Sequence, residues 1–292
     1  MTFIPKTQLV LHHDGSVYHL RVRPGDVAET ILLVGDPQRV QQISSFFDKI
    51  EVVVSNREIV THTGTYKGKR ITAMSTGMGT DNIDIVLNEL DALFNIDFDS
   101  RIEKTVKTSL KLIRLGTSGA MQPSIVPGES FVAATHGLGF DGLVHFYKGS
   151  AEVIDHSLTQ SFIEQTQWPG QLPLPYIVKG SSDLLRQLAP DYIHGITATA
   201  PGFYGPQGRT LRLPLSFAEG NKRIESATLS GMNITNFEME TSALYGLSRM
   251  LGHEALTICL IIANRITEVF LPDYKPYMEK LIQNTLDRLT GK

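Results

Sequence analysis

Phe203-Tyr204-Gly205-Pro206-Gln207-Gly208-Arg209 sets an aromatic ring, a carboxamide and a guanidinium close together on a glycine-rich loop. A planar heterocycle with two carbonyls and an N–H asks for that set. The ring stacks, the amide donates and accepts, and the guanidinium supplies charged donors to an oxygen. Taken alone the segment also reads as a plain surface loop, because Gly and Pro punctuate loops by default. Other segments bear on that choice. Gly35-Asp36-Pro37-Gln38-Arg39 stands where an apolar strand meets a helix. The N–H groups of such a turn and the helix dipole favour an anion, and Arg39 can point back at it; the plain alternative is a solvated arginine. Arg114-Leu115-Gly116-Thr117-Ser118-Gly119 joins an arginine to hydroxyls and exposed backbone N–H groups, the ingredients of a phosphate site. An arginine in a mostly buried strand needs a partner in any case. Asn236-Phe237-Glu238-Met239-Glu240 reads as the opening of a helix. Acidic residues there are ordinary helix chemistry; the functional reading is a carboxylate on a vicinal diol, with Met239 packed on a sugar.

The elements that position these residues follow from the apolar pattern. Ile31 to Val34 is a short continuous apolar run, a buried strand, followed by a helix over 37–47 with Pro at its first turn. Val52–Val54, Ile59–Thr65 and Ile71–Met74 are β-rich, with Lys67-Gly68-Lys69 as a hairpin tip. Ile83, Val86, Leu87, Leu90 and Phe94 form a helical stripe over 80–94. Strands are expected at 111–115, closed by the Gly116–Gly119 run, and at 130–135, 192–200 and 255–262; further helices are expected at 151–166, 238–251 and 273–289. Alternating strands and helices argue for an α/β sheet with helices on its faces. No repeat, low-complexity stretch or linker divides the chain, so one domain is expected over 1–292. It has a polar N-terminal segment over about 1–30 and a charged surface insertion or added helical segment over about 95–110.

The 292 residues are 41% apolar, enough for a sizeable core, and the net charge of −3 gives no electrostatic reason to expect nucleic acid or an anionic membrane. Neither a signal-peptide core nor a membrane-length apolar run is seen, which points to a cytoplasmic protein. The one cysteine, Cys259, sits in an apolar run and reads as a buried structural thiol, so no intrachain disulfide framework is available. The nine histidines show no metal-ligand spacing, and no transition metal is expected. Gly77-Met78-Gly79 is only a broken dinucleotide fingerprint, because Asn82 stands where its last glycine belongs.

Together these segments resemble the nucleoside phosphorylase superfamily, which includes uridine phosphorylase and the type I purine nucleoside phosphorylases. The joint signature is Gly-Asp-Pro-x-Arg at 35–39, Ser-Thr-Gly-Met-Gly at 75–79, Arg-x-Gly-Thr-x-Gly at 114–119 and Glu-Met-Glu at 238–240. Phe-Tyr-x-x-Gln-x-Arg at 203–209 is similar to the uridine phosphorylase branch. The resemblance implies a three-layer αβα sandwich with a central mixed, partly barrel-like sheet. It implies a pentosyltransferase that reversibly converts uridine and phosphate to uracil and ribose 1-phosphate, a step of pyrimidine salvage. Phosphate would be held by Gly35, Arg39, Arg114, Gly116 and Thr117, with Arg57 lent by a neighbouring subunit. Phe203, Gln207, Arg209 and Arg265 would hold the base. Glu238, Met239 and Glu240 would hold the ribose, joined by His19 of the neighbour. Arg39, Arg114, Arg209 and Glu240 would carry the catalysis.

The purine branch has an Asp just after the strand corresponding to 255–262, where this chain has Ala263-Asn264-Arg265. That departure argues against the alternatives of a purine phosphorylase or a nucleosidase, and the phosphate arginines argue against a catalytically silent nucleoside binder. No organic cofactor is implied, only phosphate as co-substrate. The potassium site of some bacterial members is matched at Glu58 and Met78, with Asn82 in place of its Ser. A homodimer is the implied minimal unit; hexamers are common among bacterial relatives.

Overall fold

Residues 31–34 are apolar at every position because both faces of their strand are covered. Ile31 and Leu33 belong to one buried cluster, Leu32 and Val34 to another. In the computed structural model, which describes residues 3–291, this is β1 (Thr30–Val34). Residues 1–2 and 292, the ends of the expected domain, lie outside the described residues.

The chain continues through α1 (Pro37–Ser44), β2 (Lys49–Asn56), β3 (Ile59–Tyr66), β4 (Lys69–Ser75) and α2 (Thr80–Asn95). A two-stranded hairpin, β5 (Ile96–Asp97) and β6 (Ile102–Glu103), precedes the long β7 (Lys111–Ala120) and β8 (Phe131–Gly139). Next come α3 (Ser150–Val153), α4 (His156–Thr166), β9 (Tyr176–Lys179), α5 (Ser182–Leu188) and β10 (Ile193–Thr199). The last third holds α6 (Gly220–Ser226), β11 (Thr228–Leu229), β12 (Met232–Glu238), α7 (Thr241–Leu251), β13 (Glu254–Asn264), β14 (Val269–Phe270) and α8 (Lys275–Leu289).

The main sheet is mixed, in the order β11-β12-β10-β8-β13-β7-β1-β4-β3-β2. An added antiparallel pairing of β12 with β7, Phe237 opposite Gly119 and Asn236 opposite Ala120, closes β7, β13, β8, β10 and β12 into a barrel-like ring. One sheet face packs on α2 and α7, through residues such as Val86, Leu90, Leu244 and Leu247. The other packs on α1, α5 and α8, through Val40, Leu184, Leu281 and Leu286. The three-layer sandwich with its partly barrel-like mixed sheet is therefore the observed architecture. No helix among the described residues is long and apolar enough to cross a membrane.

Several expectations change in detail. The Gly116–Gly119 run does not end its strand: β7 carries on to Ala120, because β13 flanks it along its length and β12 crosses its end. The helix expected from 238 begins at Thr241, and Glu238 is instead the last residue of β12. β12 lacks an apolar alternation because its polar residues are satisfied inside the ring: Asn236 donates to Ser118 (2.8 Å) and accepts from Thr197 (2.9 Å). The helix expected over 151–166 breaks at Asp155, whose carboxylate caps α4 at Leu158 N (2.9 Å).

The 95–110 segment is neither a helix nor a plain surface excursion. Its hairpin carries a buried Arg101 that donates to the carbonyls of Ile4 (2.8 Å), Pro5 (3.2 Å) and Leu9, and so binds the N-terminal segment to the body.

Candidate active site

Strand parity decides where Arg114 goes. It shares the even-numbered face of β7 with Leu112, in line with Leu110 just before the strand, the face covered by α2 and α7. That aims a guanidinium at the start of α7, where Glu238 and Glu240 stand. Arg114 pairs with Glu240 at hydrogen-bond distance and with Glu238 at 3.3 Å, and all three side chains are buried. Gly116, two residues along the same face, is required: a Cβ there would lie 2.1 Å from Arg114 Nη1. Burial opposes the charge on Arg114, but Glu240 and Glu238 outweigh it, so its pKa is raised and it stays protonated. Burial also disfavours charge on Glu240; Arg114 counters this and Glu238 adds to it, leaving the carboxyl pushed up to about 7.

Around this pair lie the carboxyl ends of the parallel strands β1, β4 and β7, the usual place for a ligand in an open α/β sheet. After β1, Asp36 caps α1 by accepting from Gln38 N (2.9 Å), with Pro37 in the first turn. This geometry returns the buried Arg39 toward β7, where Nη1 donates to Leu115 O (3.2 Å). Burial lowers the Arg39 pKa. After β4, the chain turns through Gly77 and Gly79; Gly79 (φ +98°) starts α2 and donates its N–H to Glu240 Oε1 (2.8 Å). A Cβ on Gly35 would touch Gly77 O at 3.4 Å, so the two turns abut. Gly35, Arg39, Arg114, Gly116 and Glu240 are thus brought together, with half-buried Thr117 one position along β7 and half-buried Met239 between the two glutamates.

A second cluster forms where β7 meets β12. Gly205–Gln207 makes one 3-10 turn that sinks the Gln207 side chain to 3% exposure. Arg209 donates to Gln207 Oε1 (2.6 Å) and Phe203 O (2.7 Å), and its guanidinium lies 3.8 Å from the centre of the Phe203 ring. Arg265, just past β13, rests its methylenes over Gly119, donates to Gln207 O and faces the Phe237 ring at 5.8 Å. Burial lowers the pKa of both arginines; Arg265, further disfavoured by Arg209, is brought down to about 10. All of the residues expected at the base therefore converge. A cavity of about 720 Å³ lies between Tyr204, Arg209, Leu213 and Trp168, and the Arg39–Arg114 cluster does not line it.

His19 and Arg57 do not join either cluster within the chain. Arg57 is exposed in the β2–β3 turn at φ +54°. The neighbouring Asn56 amide donates to His19 O (2.8 Å), and His19 Nδ1 sits 2.6 Å from Glu89. The two residues are thereby held side by side on one surface. Glu58 and Asn82 both approach Gly77, with Met78 exposed beside them. Cys259 is buried 3.9 Å from Arg114, and burial pushes its thiol up to about 12. No group of His, Cys, Asp or Glu suited to a metal ion occurs among the described residues.

Two sets of residues at this site were not read from the sequence. Thr199, at the end of β10, donates to Glu238 Oε1 (2.7 Å) and accepts from Ser242 N (3.0 Å). Asn264 donates to Gln122 O and Ile125 O (both 2.9 Å) and accepts from Ile266 N (2.9 Å) and Thr267 N (3.0 Å), which fixes the turn bearing Arg265. Their partners are distant in sequence or purely main-chain, so no residue pattern announces them.

Residues 29–282 match the family model described as the phosphorylase superfamily. The chain is 33% identical over 257 residues to a uridine phosphorylase of Thermococcus kodakarensis, covering 88% of this chain and 80% of the relative. It is 28% identical over 244 residues to a DeoD-type purine nucleoside phosphorylase of Bacillus cytotoxicus, covering 83% and 85%. Among solved structures, a Trypanosoma brucei nucleoside phosphorylase described as showing uridine phosphorylase activity superposes with a TM-score of 0.89 at 30% identity, covering 97% of this chain and all of that one.

Proposed function

The chain belongs to the phosphorylase superfamily, and we propose that it is a pentosyltransferase catalysing the reversible phosphorolysis of uridine to uracil and ribose 1-phosphate in pyrimidine salvage. The observation that carries the choice of base is the convergence of Phe203, Gln207, Arg209 and Arg265 in one cluster. The similarity to uridine phosphorylases supports it.

The reaction breaks C1′–N1 and forms C1′–O. Positive charge grows on the sugar and negative charge on the departing base, and an enzyme gains by stabilising both. In this reading phosphate, held by the Gly35 turn, Arg39, Arg114, Gly116, Thr117 and the neighbouring subunit's copy of Arg57, faces the sugar cation and attacks C1′. Glu240 accepts from the ribose hydroxyls and Met239 packs on the ring, with the neighbour's copy of His19 at the 5′-hydroxyl. Phe203 stacks on uracil, while Gln207, Arg209 and Arg265 take the negative charge that its carbonyls acquire. Phosphate is the nucleophile, so no glycosidase-type pair of carboxylates is needed. One domain, a dimer as minimal unit and a cytoplasmic setting belong to the same proposal; an organic cofactor and a potassium ion do not.

The test is incubation of the pure protein with uridine, with and without inorganic phosphate, following uracil by chromatography. Release only with phosphate is expected. Equal release without it would mean a hydrolase. Cleavage of inosine but not uridine would move the assignment to purines.

A further inference from the structure

Glu238 is engaged inside the chain on both oxygens. It accepts from Glu240 N (2.9 Å), from Thr241 N (3.0 and 3.1 Å) and from the Thr199 hydroxyl (2.7 Å), and it lies 3.3 Å from Arg114 Nη1. The two N–H groups are orphan donors of the first turn of α7, so Glu238 caps that helix from the preceding strand. A carboxylate already accepting that many bonds has little left for a sugar hydroxyl. Glu240 differs: outside its contact with Arg114 it accepts one backbone N–H, from Gly79.

Thr199 is the link that turns this cap into a fixed post. Its side chain is fully buried, its single proton goes to Glu238, and its oxygen accepts from Ser242 N, the next orphan donor of α7. One hydroxyl thus ties the end of β10, the end of β12 and the start of α7 to a carboxylate beside Arg114.

We propose that Thr199 is a positioning residue for Arg114, acting through Glu238, and that Glu238 orients the phosphate-binding guanidinium instead of holding ribose. This rests on the functional reading above. Without the hydroxyl, Ser242 N is orphaned and Glu238 loses a donor, so Arg114 loses its fixed post and is left to Glu240. The consequence falls on phosphate and spares the nucleoside.

The experiment is steady-state kinetics on Thr199→Val, nearly isosteric without the hydroxyl, with Thr199→Ser as the conservative rescue. Thr199→Val is expected to raise the KM for phosphate roughly ten-fold, the scale of one lost bond to a charged group. The KM for uridine and the uridine-to-deoxyuridine turnover ratio should hardly move, and Thr199→Ser should restore the phosphate KM. If Thr199→Val does not fold, Glu238→Gln, which keeps one acceptor oxygen for α7 but loses the charge beside Arg114, should give the same signature. An unchanged phosphate KM in a folded variant overturns the proposal. So does a change that falls instead on uridine and on the ribose-to-deoxyribose ratio, which would make Glu238 a ribose ligand. Wild-type protein without phosphate-dependent cleavage would overturn the functional reading together with this one. Wild-type cleavage with indifferent variants would overturn this one alone.

Discussion

Arg209 and Arg265 are like charges brought to one residue: Arg209 donates to the side chain of Gln207, Arg265 to its carbonyl. Arg114, by contrast, has two carboxylates beside it. Two partly buried guanidiniums with each other for company are ready for an anion that forms only during reaction, which is where charge stabilisation counts most. Arg265→Ala should therefore lower kcat about 10²–10³-fold, as the loss of one preorganised donor does. It should leave the melting temperature nearly unchanged, because removing one guanidinium also relieves the other. Arg265→Lys should not restore the rate, since an ammonium cannot present a planar fork. Uridine kinetics with a thermal melt decide it, and a folded Arg265→Ala with kcat near wild type would take Arg265 out of the base site. Arg209 and Arg114 were legible in the sequence because each stands in a short run whose residue types already name the chemistry, whereas Arg265 was reached only through the family resemblance. Thr199 was not, because a threonine in Ile-Thr-Ala-Thr-Ala has no meaning until β10, β12 and α7 meet around Glu238.

At the scale of elements, the parts read correctly were those whose burial is written as an apolar run or a helical stripe, such as β1, α2 and β13. β12 was missed because its interior polar residues are paired with one another, and β7 was cut short because glycine reads as a stop. The 95–110 hairpin shows the same limit, since what it does depends on residues nearly a hundred positions away. Arg101, itself at φ +55°, holds three carbonyls of the N-terminal segment that leads to His19. Arg101→Ala should cost at least about 2 kcal/mol, given that hydrogen bonds from charged groups are worth about 1.5–3 kcal/mol each and are not additive. Its signature should be local: faster amide exchange over residues 4–20, against unchanged exchange in β1 and β7. Uniform acceleration across the sheet would mean that the hairpin supports the whole fold and not the N-terminal segment.

At the scale of the molecule, charge balance favours a shared site. Within one chain Arg114 is paired with Glu238 and Glu240, which leaves Arg39, on the Leu115 carbonyl, as the cluster's other cation and little excess of positive charge for a phosphate dianion. Arg57 and His19 are meanwhile held together on the surface by Asn56, outside both clusters. A second copy that brought this surface to the mouth of the site would supply the missing cation, and closed pairing of identical chains would make the exchange reciprocal. Complementation tests this directly. Arg57→Ala and Arg114→Ala should each be nearly inactive. Unfolded and refolded together in equal amounts, half of the dimers would be hybrids with one of two sites intact, so activity should recover to about a quarter of wild type. Refolding each variant alone gives the baseline. A mixture no more active than that baseline would mean that Arg57 serves its own chain, and the phosphate charge would then have to be balanced from within a single subunit.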